Sequence, residues 1–197
     1  MNSTTSLLSN SLMIFLTAVL FTVTACNAPP AIADKKAYFD LTGFLDQQIA
    51  LLYKDSFMVM KTSSINQNTE QHEMPWTDWR KELAVFYASD INKAAYVGKY
   101  EVDTMMVDST EKKIIYKSSD ADFRTLLMEV TYSLTDQNVT LIHISNYSHN
   151  IIYTNSEELY FKPLETYIIK STQYMKLFGE TIFAVKGDFV QKKRSYF

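Results

Sequence analysis

The strongest constraint on the fold is an alternation of apolar and polar residues that begins at Tyr100 and continues to Phe189. Successive side chains of a strand point to opposite faces, so this period of two predicts half-buried strands. Short polar linkers separate the segments, and such linkers join antiparallel neighbours because a parallel crossover needs a dozen or more residues. The predicted strands are residues 100–107, 112–117, 125–134, 139–146, 151–161, 165–177 and 181–189.

The alternation also predicts how the sheet is used. In residues 125–134 one face carries the apolar set Leu126, Met128, Val130, Tyr132 and Leu134, and the other is mainly polar. We therefore expect one buried face and one face in contact with water. The pattern leaves open whether helices alone cover the buried face or whether the sheet curls around a cavity.

The residues before Tyr100 predict helices. Apolar residues at three-and-four spacing indicate an amphipathic helix within residues 36–53, and a second helix is expected to start near Pro75, with Asp78 near its N-terminal end. Residues 57–65 read as a strand and residues 66–73 as a loop. The apolar stripes are Leu41, Phe44, Leu45, Ile49 and Leu52 in the first helix, and Trp76, Trp79, Leu83, Phe86 and Tyr87 in the second.

These elements together predict an α+β fold with two N-terminal helices packed on an antiparallel β-meander of seven or eight strands. A curved sheet or half-barrel is one form that such a meander can take. The predicted organisation is a signal peptide at 1–25, a tether at 26–35, a single domain at 36–190 and a basic tail at 191–197.

An uncharged segment from Leu12 to Ala25 precedes the only cysteine of the chain, Cys26. Its length suits the apolar region of a secretory signal and is too short for a comfortable membrane span. The residues Val23-Thr24-Ala25-Cys26 resemble the lipobox of bacterial lipoproteins. An ordinary signal peptide with an incidental Cys26 is the alternative, and residues 1–10 contain no Lys or Arg.

The lipobox resemblance implies where the protein works. Residues 1–25 would be removed and Cys26 would carry acyl chains such as palmitate, so the protein would be anchored to a membrane without spanning it. Asn27, where aspartate would imply the inner membrane, implies the outer membrane, with the domain facing the periplasm. The chain is also similar to uncharacterised outer-membrane lipoproteins with N-terminal helices and a β-meander.

Composition and motifs exclude several classes of function. With 19 basic and 22 acidic side chains, the net charge of −3 gives no electrostatic footprint for nucleic acid. The four glycines are far apart, so we expect no phosphate-binding loop and no cofactor. The nucleophile pattern Gly-x-Ser-x-Gly does not occur, and we assign no catalytic residue.

Isolated polar residues predict no metal site. His72 in the polar loop, His143 in a strand and His149 in the following turn show no ligand spacing, so we interpret them as surface or edge-strand histidines. The carboxylates Glu157-Glu158 and Asp120 with Asp122 are interpreted as solvated charges beside turns.

Two groups of aromatic residues, the tryptophans and the strand tyrosines, each allow two interpretations. Trp76 and Trp79 suit a sugar or peptide platform, although core packing is favoured by their helical spacing. The strand tyrosines suit the mouth of an apolar cleft, although ordinary half-buried strand positions are favoured. These tyrosines are Tyr132, Tyr147, Tyr153, Tyr160, Tyr167 and Tyr174.

The resulting expectation is a non-enzymatic, periplasm-facing lipoprotein that binds a partner protein or an envelope component. One alternative is a carrier of lipid or another apolar ligand in a cavity of a curved sheet. Another is a hydrolase of envelope polymers, because glycosidase carboxylates follow no short motif.

Overall fold

The computed structural model describes residues 36–66, 68–75 and 77–192, so the predicted signal peptide, the tether and residues 193–197 lie outside the described residues. The helices are α1 (Leu41–Lys54), α2 (Trp79–Glu82) and α3 (Ala84–Ala88), with a 3-10 turn at Ala94–Tyr96. The strands are β1 (Phe57–Ile65), β2 (Asn68–Met74), β3 (Tyr100–Met106), β4 (Glu111–Ser118), β5 (Thr125–Ser133), β6 (Val139–His149), β7 (Tyr153–Lys162), β8 (Thr166–Met175) and β9 (Gly179–Gln191).

The strands make one antiparallel sheet in the order β2-β1-β9-β8-β7-β6-β5-β4-β3, which has nine strands within the described residues. The predicted meander from Tyr100 onward is confirmed, because each strand from β3 to β9 pairs with its neighbour in the chain. Strand β1 pairs with the other side of β9, where Val59 lies opposite Phe189. Strands β2 and β3 form the two edges, so the sheet is open.

Strand β2 corrects the prediction of a loop over residues 66–73. It pairs with β1 from Met74 opposite Val59 to Asn68 opposite Ile65. All residues of β2 except Met74 are exposed, so the strand has no buried face and shows no apolar alternation. Charged residues such as Glu70 and Glu73 suit an edge strand, because they discourage pairing with a further chain.

Helix α1 confirms the predicted amphipathic helix but starts at Leu41 instead of residue 36. Asp40 sets this start, because its Oδ1 accepts a hydrogen bond from the Gly43 N–H at 3.0 Å. Such a cap satisfies one of the N–H groups that the first turn leaves without a partner. The buried side of α1 is formed by Leu41, Leu45, Gln48 and Leu52.

The predicted single helix from Pro75 is wrong, because two short helices stand in its place. Helix α2 begins at Trp79, after Asp78 accepts a hydrogen bond from the Lys81 N–H at 3.2 Å. Buried Leu83 then separates α2 from α3. Val85, Phe86 and Tyr87 in the middle of α3 have modest helix propensity, so the packing of buried Phe86 holds this short helix in place. Trp76 lies outside the described residues.

The core lies between the helices and one face of the sheet, which we call the covered face. Phe44 and Phe86 both pack edge-on against Phe161, and Trp79 packs edge-on against Phe189, with ring centroids between 5.4 and 6.0 Å apart. Such pairs add about 0.5–1.5 kcal/mol each to the burial of their area. The predicted core role of Trp79 is therefore confirmed. The opposite side of the sheet is called the open face.

Tyr167 and Gly187 face each other across β8 and β9 on the covered face. The Tyr167 ring is completely buried, and a Cβ atom on Gly187 would lie 2.1 Å from Tyr167 Cε1. Glycine is therefore needed at position 187 to make room for the ring. In β5, Met128 and Val130 are buried as predicted, but Thr131 of the open face is buried too, next to a register shift.

Two turns lie elsewhere than predicted. Strand β6 continues through the expected linker at 147–150 as far as His149, so Ile151 and Ile152 form a turn instead of starting a strand. Strand β8 ends at Met175 and leaves Leu177 in a turn with Phe178. Apolar residues at these turns extend the alternating pattern beyond the true strand ends, which explains the error.

Candidate functional site

A surface pocket of about 530 Å³ lies where α1 ends, between the start of β1 and the segment that leads into α2. Small-molecule sites measure roughly 300–1,000 Å³ and combine apolar walls with a few polar groups. The apolar wall here includes Leu52, Phe57, Pro75 and Trp79, and the polar groups include Asp78 and Lys192.

Backbone hydrogen bonds hold the pocket walls in position. Ser56 joins α1 to β1 with a φ of 55°, a left-handed conformation, and its N–H donates to the Tyr53 carbonyl at 3.2 Å. The Ser56 carbonyl accepts a hydrogen bond from the Lys192 N–H at 3.2 Å. On the other wall, Thr77 Oγ1 donates to the Met74 carbonyl at 3.1 Å. The pocket is thus a preformed feature of the fold.

The electrostatics of the pocket rim are mixed. Hydrogen bonds from Lys81 hold the pKa of the Asp78 carboxyl below its ordinary value, so Asp78 is ionised at neutral pH. Lys81 Nζ lies 3.1 Å from Asp78 Oδ2 and partly balances its charge. With Lys192 also in the lining, the rim carries residues of both charge signs.

A second group of polar side chains, the Glu157 cluster, lies on the covered face. The Glu157 carboxylate accepts hydrogen bonds from Arg124 Nη2 at 2.7 Å, Asn146 Nδ2 at 3.1 Å and Asn155 Nδ2 at 3.0 Å. Ser171 Oγ donates to Asn155 Oδ1 at 2.7 Å, which extends the cluster to β8. The Glu157 side chain is 16 % exposed. Because its donors surround the carboxylate, the cluster fixes the strands that carry it rather than presenting a free group.

A third group, the His143 cluster, lies on the open face. His143 Nδ1 is 2.9 Å from Glu129 Oε2, and Nε2 is 2.5 Å from Glu158 Oε2. Burial acts to raise the pKa of Glu129, but hydrogen bonds from His143 and Lys113 hold it below its ordinary value. The His143 ring also stacks on Tyr160 with centroids 4.6 Å apart. These contacts join β5, β6 and β7 across the open face.

The structure corrects the placement of several predicted polar residues. His143 lies half-buried on the open face of β6, an inner strand, so the edge-strand part of its interpretation is wrong. Glu157 and Glu158 lie in the middle of β7, not beside a turn. His72 belongs to edge strand β2 instead of a loop, and His149 ends β6 instead of lying in a turn. Asp120 and Asp122 lie in the β4–β5 connection, as predicted.

The prediction that the strand tyrosines are half-buried is correct for four of the six. Tyr132, Tyr147, Tyr153 and Tyr160 are half-buried, whereas Tyr167 is buried and Tyr174 is exposed. None of these tyrosines lines the pocket at the end of α1.

Cys26, the predicted lipidation residue, lies outside the described residues, so its acylation stays a prediction. Across the part of the chain that the structure describes, no three His, Cys, Asp or Glu side chains are grouped so as to hold a metal ion. Over the same residues, every helix is too short or too polar to cross a membrane.

Sequence reasoning missed the pocket, because its lining comes from α1, β1, the α2 cap and the end of β9, which no motif connects. The Glu157 cluster did leave a signal. Glu157 has the same parity in β7 as Leu159 and Phe161, so a carboxylate occupies a position of the buried face. A charged residue at such a position is expected to be paired.

Comparisons with known proteins add little to this geometry. No protein-family model matches the chain, and no curated protein matches it either. Among solved structures, the chain is similar to an S-type phycobiliprotein lyase, CPES, from Guillardia theta, at 9% sequence identity. The similarity covers 80% of this chain and 100% of that chain with a TM-score of 0.26. A score this low does not establish a common fold.

Proposed function

We propose that the protein is a non-enzymatic, lipid-anchored binding protein that faces the periplasm, and that a small envelope component occupies the pocket at the end of α1. The observation that carries this proposal is the preformed pocket of about 530 Å³ with an apolar wall and charged groups of both signs. Its ligand would combine an apolar body with polar groups.

The anchor part of the proposal is supported by Val23-Thr24-Ala25-Cys26 and by the proline-containing segment that follows. Acyl chains on Cys26 would hold the domain at the outer membrane, and residues 26–35 would separate it from the lipid surface. The mass of the N-terminal peptide of the mature protein tests this directly. A mass that corresponds to an unmodified cysteine contradicts the anchor.

The finer fold expectation belongs to the same proposal. A curved sheet would wrap its covered face around α1, with α2 and α3 together acting as the second helix. Ile169 of β8 and Val185 of β9 are partly buried against the core, so the covered face of these strands takes part in the packing that a curved sheet would require.

Native mass spectrometry of the full-length protein, released from its own membranes, tests the ligand site. The wild-type protein is expected to carry an additional non-covalent mass. Thr77→Phe fills the pocket and is expected to remove that mass, while Thr172→Phe, on an exposed position of β8 outside the pocket lining, is expected to retain it. The same additional mass in both variants contradicts binding in this pocket.

The mass would also distinguish the ligand classes. A phospholipid or fatty acid would make the protein a lipid carrier, and a sugar or peptide fragment would make it a binder of another envelope component.

A partner protein is the second candidate, because edge strand β3 exposes apolar side chains. Val102, Met105 and Met106 are between 49% and 56% exposed, in contrast to the polar edge strand β2. A further strand could add to this edge through backbone hydrogen bonds. A photo-cross-linking residue in place of Met105 is expected to capture a partner strand in cells, and one in place of His72 is not. Equal labelling from both edges counts against this candidate.

A further inference from the structure

Four large apolar side chains project from two neighbouring turns, and we call them the apolar tips. Ile151 and Ile152 form the β6–β7 turn, and Leu177 and Phe178 belong to the β8–β9 turn. They are 83%, 61%, 90% and 78% exposed, in that order. Single exposed apolar residues are ordinary, but a contiguous group marks an interaction site.

Backbone hydrogen bonds hold the two turns to each other. The Asn150 N–H donates to the Tyr153 carbonyl at 2.8 Å, and Asn150 Oδ1 accepts from the Ile152 N–H at 3.0 Å. The Lys176 N–H donates to the Ile152 carbonyl at 3.1 Å, which links the two turns directly. The apolar tips therefore project together from two hydrogen-bonded turns.

The residue types are unusual for such turns. Hairpin turns favour Gly, Asn and Asp, and β-branched residues like Ile151 and Ile152 are poor choices there. A sequence that violates local preference at an exposed site indicates a function at that site.

The place where the chain enters the domain, near Tyr38, indicates which surface contacts the apolar tips. The Tyr100 N–H donates to Tyr38 Oη at 3.2 Å, and Tyr100 Oη donates to the Thr125 carbonyl at 2.6 Å, so the chain enters near the end of the sheet where β5 begins. Thr125 lies opposite Asn146 of β6, and β6 continues from there towards Ile151. The entry and the apolar tips thus lie at the same end of the sheet.

The predicted tether is long enough for the lipid anchor and the apolar tips to reach the same surface. The tips lie roughly 15 Å across the sheet from the entry and roughly 17 Å farther along the strands. Residues 26–35 can span up to roughly 33 Å when extended. Acyl chains on Cys26 and the apolar tips could therefore enter the same lipid surface.

We propose that the apolar tips insert into the membrane that carries the Cys26 anchor and hold the domain in a fixed orientation on it. This inference rests on the proposed lipid anchor. Tyr153 and Tyr174 lie directly behind the tips, where tyrosine is typical of the headgroup region. Lys176, between the tips, can extend its ammonium group to lipid phosphates.

The test uses the full-length protein reconstituted into vesicles of phosphatidylethanolamine and phosphatidylglycerol. Because acylated Cys26 has no free thiol, Phe178→Cys provides a unique site for an environment-sensitive fluorophore. The matched control is Leu164→Cys in the β7–β8 turn, at the opposite end of the sheet. We expect a blue-shifted emission at position 178 and quenching by brominated lipids at least fivefold stronger than at position 164.

Equal and water-like signals at both positions overturn the insertion. A blue shift at position 178 without quenching by brominated lipids also overturns it, because protein would then cover the tips, for example a second copy of this chain. The mass of the N-terminal peptide is measured on the same sample. If it shows no lipid, the anchor fails, and Phe178→Cys is then labelled in a Cys26→Ser background, where the change in the fluorophore signal on adding vesicles still decides whether the tips insert.

Discussion

The Tyr167 hydroxyl donates a hydrogen bond to Glu82 Oε1, which joins an inner strand of the sheet to the last residue of α2. Lys61 of β1 also contacts this oxygen, with Nζ at 2.7 Å. Burial, with the Glu82 contact adding to it, raises the pKa of Tyr167, so the phenol keeps its proton across the physiological range. One carboxylate therefore holds the short helix α2 against two strands.

Replacing Glu82 with alanine is expected to lower the free energy of unfolding by about 2–4 kcal/mol, because Lys61 and the Tyr167 hydroxyl lose their shared acceptor. Urea unfolding at neutral pH measures this loss. Glu165→Ala, which removes an exposed pair with Lys162 at 3.3 Å, is the control and should cost less than about 1 kcal/mol. Equal losses in the free energy of unfolding for the two variants would contradict a larger stabilising role for the Glu82 contacts.

Replacing Gly187 with alanine is expected to cost about 3 kcal/mol, because its Cβ would overlap the Tyr167 ring. Gly98→Ala is the matched control. Gly98 has a φ of 75° and no heavy atom within 4 Å of an added Cβ, so only about 1 kcal/mol of backbone strain is expected. Thermal unfolding compares the two variants. Adding Tyr167→Leu to Gly187→Ala should recover part of the loss, and an unchanged melting temperature in Gly187→Ala would contradict the steric argument.

Glu129 is expected to make the stability of the protein depend on acid pH. Its pKa in the folded protein lies below the ordinary value of 4.5. A lowered pKa stabilises the folded state above the unfolded-state pKa, and this contribution disappears as the pH falls through the folded-state pKa. Glu129→Gln should therefore be less stable than the wild type at pH 7, and the difference should shrink below about pH 4. Urea midpoints across this range provide the measurement, with Glu165→Gln as the exposed control. A difference that stays constant with pH would refute the assignment.

Replacing Glu157 with glutamine is expected to cost about 1.5–3 kcal/mol, because Arg124 loses its counter-charge and the Glu157 cluster loses charge-assisted hydrogen bonds. Faster hydrogen exchange in β6, β7 and β8 should accompany the loss. Glu158→Gln changes the adjacent carboxylate, which is 41% exposed on the open face, and should cost less. A larger loss of stability from Glu158→Gln than from Glu157→Gln would contradict the role given to the Glu157 cluster.

The parts of the fold that sequence could predict are those with a strong period. The alternation after Tyr100 identified all seven strands of the meander, and the spacing from Leu41 to Leu52 identified α1. Strand β2 was not predicted, because a strand exposed on both faces shows no alternation of apolar and polar residues. The break between α2 and α3 at Leu83 was not predicted, because the apolar spacing continues across it and packing decides where the helix ends.

The candidate site was less accessible to sequence reasoning. Asp78 was correctly placed at the start of a helix, but its position at the pocket rim depends on the end of β9 lying beside Ser56. Contacts between segments so far apart in the chain follow from the sheet order, which short-range patterns do not encode.

The place of β9 between β1 and β8 has a consequence for how the protein acquires its structure. The hairpin of β1 and β2 can join the sheet only through a strand that ends at Gln191, close to the last described residue. Pairing segments that are so distant in sequence incurs a large loop-closure entropy before it is rewarded, which slows folding. Strands β1 and β2 would then be the last to join the sheet, after the local pairings of β3 to β9 have formed.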